Sequence, residues 1–103
     1  MAKRILLYNL KENVTDQDYA EYCRNKKGPF LKSLPSCRKY TLVKVVASQK
    51  GEIPFKYVGI VDITNDEDWE RDRSSAVFQD FLKEWTPKVA EVHMLIGVEV
   101  FEE

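Results

Sequence analysis

The chain has 103 residues, 44% of them hydrophobic and 32% charged, with a formal net charge of −1. That length holds one domain, residues 1–103, of ordinary soluble globular composition; four glycines and four prolines exclude collagen-like and low-complexity classes. No apolar run approaches the ~18–20 residues of a membrane span and no signal-peptide pattern opens the chain, so a cytoplasmic protein without a membrane partner is expected.

Residues 3–10 (KRILLYNL) predict a strand that is apolar on both faces, with Ile5, Leu6, Leu7, Tyr8 and Leu10 nearly continuous. Thr15 is a suitable N-cap, Asp18 sits at the third helical position, and Val14 can staple against Tyr19. The helix that follows carries Tyr19, Tyr22 and Cys23 at helical spacing and is expected to end near Gly28-Pro29, with a short helical turn in Phe30–Leu34. Residues 37–48 alternate as a long strand, with Tyr40, Leu42 and Val46 on one face. Gln49–Pro54 reads as a hairpin loop around Gly51, and residues 55–63 as a third strand, again apolar on both faces apart from Lys56 and Asp62.

Thr64 or Asn65 caps a helix with Asp66, Glu67 and Asp68 in its first turn, where acids suit the helix dipole. A break is expected near Arg73–Ser75, with Ser74 or Ser75 capping a segment that aligns Val77, Phe78, Phe81, Leu82 and Trp85 on one stripe before Pro87. Residues 91–101 predict the last strand. Val92, Met94, Ile96, Val98 and Val100 make one apolar face, and His93, Leu95, Gly97, Glu99 and Phe101 a mixed one.

The order strand, helix, strand, strand, helix, strand is the ferredoxin-like split βαβ plan, an α+β fold with four antiparallel strands and helices on one face. In that plan the first and third strands lie centrally, and these are the two that are apolar on both sides. Helices cover only one sheet face. The apolar residues of the other need a lid, and a second copy of the same sheet supplies one, as a homodimer forming an α/β barrel.

Charge is unevenly divided. Residues 1–56 carry 12 Lys/Arg and 5 Asp/Glu, whereas residues 57–103 carry 4 Lys/Arg and 12 Asp/Glu. The charges are dispersed among apolar positions, which suits attraction between two halves of one fold or between subunits. Cys23 and Cys37 show neither zinc nor Cys-x-x-Cys spacing and are expected as free thiols.

Two family patterns bear on function. The segment Ile5-Leu6-Leu7-Tyr8-Asn9-Leu10 resembles the hexamer of an RNA-recognition motif except at Leu6, and Lys56–Ile63 sits where the octamer belongs. The base-stacking positions there are Val58 and Ile60, which offer no π-face, and the sequence pI is about 5.9; no nucleic-acid partner is expected. The second resemblance spans the chain: Tyr8-Asn9-Leu10-Lys11 with Val14 and Tyr19, Gly28-Pro29-Phe30-Leu31 leading into Ser33-Leu34-Pro35-Ser36, Tyr57-Val58-Gly59-Ile60-Val61-Asp62-Ile63, and a final strand ending in Glu99 and Glu102. In these stretches the chain resembles the RedY-like HapK family of dimeric α/β-barrel proteins. The resemblance implies a small homodimer associated with prodigiosin-type and other pigment or antibiotic pathways.

The barrel plan leaves a cleft between sheet and helices, suited to a small aromatic ligand and lined by Tyr19, Tyr22, Trp69, Phe78, Phe81 and Trp85; ordinary core packing is the alternative role for each. His93, the only histidine, suits acid–base work near pH 7. Its place on the mixed face of the last strand directs it away from the helix side, toward the barrel or its rim. Asn9 is a candidate ligand-binding residue and Asp62 a candidate proton acceptor, each at the end of an apolar strand; a turn or capping role is the alternative. Ser33 and Ser36 are expected in a turn. No phosphate loop, nucleophile elbow or paired-histidine metal site is present, so these residues point to no flavin, nicotinamide or metal. Two functions remain: a cofactor-independent enzyme acting on an aromatic or pyrrole-type intermediate, or a non-catalytic dimeric ligand-binding or accessory protein.

Overall fold

A computed structural model describes residues 2–102. Four strands, β1 (Ala2–Leu10), β2 (Cys37–Lys44), β3 (Tyr57–Ile63) and β4 (Val89–Val98), form one antiparallel sheet in the order β2-β3-β1-β4. The two strands read as apolar on both faces, β1 and β3, are the central pair, paired from Lys3 with Asp62 to Tyr8 with Tyr57. The α+β ferredoxin-like plan is therefore the observed one.

Strand alternation sorts the side chains. Arg4, Leu6, Tyr8, Tyr57, Val61 and Ile63 face the helices, and Lys3, Ile5, Leu7, Val58, Ile60 and Asp62 face away. In β4, Met94 pairs with Leu6 and Ile96 with Arg4 on the helix side, while His93 pairs with Leu7 and Leu95 with Ile5 on the open side. The helices stop short of this edge strand, which leaves Met94, Ile96 and Val98 at 53%, 73% and 74% exposure. A bulge between Leu7 and Asn9 puts Glu91 at φ 55°.

Local chemistry fixes the helices. Thr15 accepts from the Asp18 amide at the start of α1 (Asp16–Tyr22), Asn65 from the Asp68 amide before α2 (Asp66–Arg73), and Ser75 from the Phe78 amide before α3 (Ala76–Trp85). The expected stop at Gly28-Pro29 does not occur. After Tyr22 the helix widens into one π-helical stretch, Cys23–Lys27, and continues as a further α-turn through Gly28–Ser33. Pro29 falls in the first turn of that segment, directly after the π-helical stretch. A Cβ on Gly28 would lie 2.8 Å from the Cys23 carbonyl oxygen, so the π-to-α junction needs glycine. The second and fourth strands are shorter or shifted relative to expectation, because residues 45–56 leave the sheet as a loop and pairing in β4 begins at Val89.

Two aromatic-rich clusters fill the space between sheet and helices. One gathers Tyr8, Tyr19, Tyr57, Trp85 and Val89; the other Leu31, Val61, Ile63, Trp69 and Phe78. Phe81 and Leu82 of α3 touch both.

Candidate functional site

Where the two clusters meet, a void of about 50 Å³ remains between sheet and helices. Leu6, Gly59 and Val61 floor it; Trp69, Phe78, Phe81 and Trp85 line it from α2 and α3; Met94 stands at the β4 edge. A single charged side chain, Lys27, reaches into it. The π-helical turn places that side chain, because the extra residue per turn rotates Lys27 inward from the otherwise polar run Arg24-Asn25-Lys26.

Lys27 is 4% exposed. Its Nζ donates to Tyr8 Oη at 3.0 Å and Tyr19 Oη at 3.1 Å. These two hydroxyls lie 2.6 Å apart, and Trp85 Nε1 donates to Tyr19 Oη at 2.8 Å. Four rings surround the amine, with centroids at 4.8 Å (Trp85), 5.0 Å (Tyr8), 5.5 Å (Tyr40) and 5.7 Å (Tyr19). Among the described residues no carboxylate pairs with it; the Cys23 thiol, at the start of the same π-helical stretch, is the ionisable group that acts on its charge. Burial pushes the amine down to about 8, with Cys23 acting in the opposite sense. The ring faces also favour the ammonium form, so desolvation is the effect that prevails. Burial likewise pushes the Tyr8, Tyr19 and Tyr40 hydroxyls up, so they stay protonated at any working pH.

Two further polar groups of the void lack partners. Tyr40 Oη and Trp69 Nε1 are buried without a hydrogen bond. Leaving such a group unpaired costs roughly 1–3 kcal/mol, and a ligand acceptor would satisfy either.

The sequence-derived candidates divide. Tyr19 touches the amine, and Trp69 and Phe78 line the void. Tyr22 points into a separate shallow groove with Asn13, Val14, Asp18, Pro87 and Lys88, with the Lys88 ammonium 4.8 Å from its ring centre. Asn9 lies at the far end of β1. Its side chain accepts from the Lys56 amide (2.8 Å) and donates to Pro54 O (3.0 Å) and Glu91 (3.3 Å), tying the β2–β3 loop to the β4 bulge. Asp62 is on the open face, paired with Lys3 at 2.8 Å. His93 is on the same face, edge-on to Phe55 at 5.1 Å, as its strand position predicts. Ser33 closes the Gly28–Ser33 helix, its Oγ donating to Phe30 O, and the backbone amide of Ser36, in the turn before β2, donates to Asp72 of α2.

Lys27 itself is the residue that sequence reading missed. A lysine in the run Arg24-Asn25-Lys26-Lys27 looks solvated, and only the π-turn turns it inward. The signal was Gly28-Pro29, an interruption that marks an irregular turn as readily as a helix end.

The sheet order, the helices on one face and the cleft between them define a ferredoxin-like α+β protein with a small internal site. The profile of the family described as "REDY-like protein HapK" matches residues 2–100, and the chain belongs to that family. Among solved structures it is similar to HapK from Hahella chejuensis, at 19% identity and a TM-score of 0.81 over 100% of this chain and 96% of that one. It is also similar to a dimeric ferredoxin-like protein of unknown function from Thermobifida fusca (11% identity, TM-score 0.73, 95% and 90% covered). A third similar structure is SnoaB, a cofactor-independent oxygenase from Streptomyces nogalater (11% identity, TM-score 0.76, 98% and 94% covered). No curated protein matches the sequence. Among the described residues no helix is long and apolar enough to cross a membrane, and no group of three or more His, Cys, Asp or Glu side chains could hold a metal ion.

Proposed function

We propose that the protein is a cofactor-independent enzyme of pigment or antibiotic secondary metabolism, of the prodigiosin type, acting on an aromatic or pyrrole-type intermediate held in the Lys27 cleft. The observation that carries this reading is the buried Lys27 amine: a titratable group with a depressed pKa, hydrogen-bonded to two tyrosines, in an otherwise apolar pocket. A purely structural core has no use for a lysine at 4% exposure without a carboxylate. Family membership and the likeness to a cofactor-independent oxygenase support the same reading.

The void is small for a ring-sized ligand, so binding displaces side chains. Met94, unbranched and half exposed at the sheet edge, is the lining residue best able to move. The homodimer belongs to the same proposal. Ile5, Leu7, Val58, Ile60 and Leu95 form a continuous apolar patch on the open sheet face, and a second sheet packed upon it is the cover that a dimeric ferredoxin-like relative suggests.

The test is to incubate the purified protein with aromatic metabolites extracted from the organism that encodes it and follow them by liquid chromatography and mass spectrometry. An enzyme consumes one compound in large molar excess over protein, and Lys27→Met abolishes that consumption. Stoichiometric retention of a compound without turnover establishes instead the non-catalytic binding or accessory role.

A further inference from the structure

We propose that Lys27 is a Schiff-base lysine and that the cleft takes an aromatic aldehyde, which Lys27 Nζ attacks at the carbonyl carbon while Tyr40 and Trp69 hold the ligand's acceptor atoms. The inference rests on the functional reading above, that the cleft binds a small aromatic compound, and adds its chemical class and covalent step.

The surroundings of the nitrogen suit a nucleophilic amine. Its Nζ meets the Tyr8 and Tyr19 hydroxyls, with the Trp85 indole N–H on Tyr19. A hydroxyl can accept from an amine N–H or donate to its lone pair, so these contacts need no charge on the nitrogen. Burial favours the neutral form, with the amine at about 8. At pH 7 about one molecule in ten then carries the free amine, against about three in ten thousand for an unperturbed lysine.

The remaining features fit a carbonyl ligand. The walls are aromatic and apolar, matching a ring. Tyr40 Oη and Trp69 Nε1–H are buried donors without partners on the same walls, free to meet a carbonyl oxygen or a ring substituent. Among the described residues no carboxylate stands near Lys27 to hold it protonated.

The step balances without a redox partner. The nitrogen lone pair forms the N–C bond, the carbonyl π-pair moves to oxygen, and the Tyr8 hydroxyl relays a proton from nitrogen to that oxygen, giving a carbinolamine. The C–O bond then breaks. The oxygen leaves as water with a second proton relayed from nitrogen, and the C=N double bond of the imine remains.

Benzaldehyde with sodium cyanoborohydride at pH 7.5, read by intact mass and peptide mapping, tests the proposal. Lys27 is expected to be alkylated at least tenfold faster than any exposed lysine. Lys27→Met, checked for fold by circular dichroism, loses the fast phase, and Tyr40→Phe slows it several-fold while leaving surface labelling unchanged. Equal labelling of Lys27 and exposed lysines overturns the proposal. Quenching of Trp69 and Trp85 fluorescence by benzyl alcohol, which has no carbonyl, reports binding in the cleft apart from the covalent step. Quenching without fast labelling refutes the Schiff base and leaves the aromatic cleft standing; neither quenching nor labelling refutes both.

Discussion

The Lys27 amine stands 3.0 Å from the Tyr8 hydroxyl, although the two residues belong to opposite layers of the protein, one on a π-helical turn and the other on the central strand of the sheet. Nineteen positions of chain separate them. Their contact joins the helix layer to the sheet through a polar bond inside an aromatic core, at a cost in stability.

That cost is measurable. Lys27→Met removes a buried amine and retains a chain of similar length, so the variant is expected to be more stable at pH 7 by about 1 kcal/mol, or roughly 4–8 °C in Tm. The pH dependence has a definite sign. The folded-state pKa, about 8, lies below the ordinary 10.5, so the unfolded chain binds more protons between those values and wild-type stability from this group rises with pH through that window. The difference therefore moves by roughly 3 kcal/mol in favour of the wild type between pH 8 and pH 10.5, and the advantage of Lys27→Met reverses within that window. Urea denaturation of both proteins across this range checks it; a constant difference contradicts it.

Gly28 holds the π-turn open. Gly28→Ala places a methyl group 2.8 Å from the Cys23 carbonyl oxygen, and the backbone must shift to relieve it. The expected cost is about 1–3 kcal/mol, with displacement of Lys27 from its two tyrosines. Thermal denaturation reports the first effect and slower aldehyde labelling of Lys27 the second. An unchanged Tm with unchanged labelling shows that the turn does not depend on glycine.

Beside Tyr57, whose ring stacks on that of Tyr8, Asp16 receives Lys56 (2.7 Å), Lys44 (3.2 Å) and the Tyr57 hydroxyl (2.7 Å). The Lys56 contact first, then the Tyr57 hydroxyl, hold its carboxyl at about 2. A depressed carboxylate contributes stability above its unfolded value near 3.8 that is lost as pH falls toward 2. Asp16→Asn is expected to cost about 1 kcal/mol at pH 7 and nothing at pH 2. Acid titrations of both proteins followed by circular dichroism decide it; equal midpoints on the acid side argue against the cluster.

The open sheet face offers a separate test. Ile60 lies at its centre, between Ile5 and Thr41 across the neighbouring strands. Ile60→Asp puts a charge in the face proposed to meet a second subunit, and light scattering at micromolar concentration is expected to show a dimer for wild type and a monomer for the variant. A wild-type monomer contradicts the shared barrel.

Much of the fold was legible in the residues. The apolar runs of β1 and β3 gave their central places, and Thr15, Asn65 and Ser75 gave three helix starts through side chains that accept backbone N–H bonds. The parity of β4 put His93 on the open face. The ends of β2 and β4 were less legible, since alternation continues past Lys44 where pairing has stopped. The site was legible only in part. Tyr19, Trp69 and Phe78 follow from amphipathic spacing, but that spacing assumes 3.6 residues per turn, and the π-turn breaks the assumption where Lys27 stands. Asn9 and Asp62 drew attention as polar residues on apolar strands; alternation sends both to the face opposite the cleft.

The protonation state of Lys27 decides what chemistry the cleft can perform. Heteronuclear NMR of lysine side chains, with Lys27 assigned by its absence in Lys27→Met, follows each amine through its titration. A midpoint near 8 for Lys27, well below the ordinary lysine value of 10.5, is the result expected of a free amine poised in the cleft. A Lys27 midpoint between 10 and 11 would mean a permanently charged ammonium held by ring faces and the two tyrosine hydroxyls, and would contradict a nucleophilic amine in the cleft.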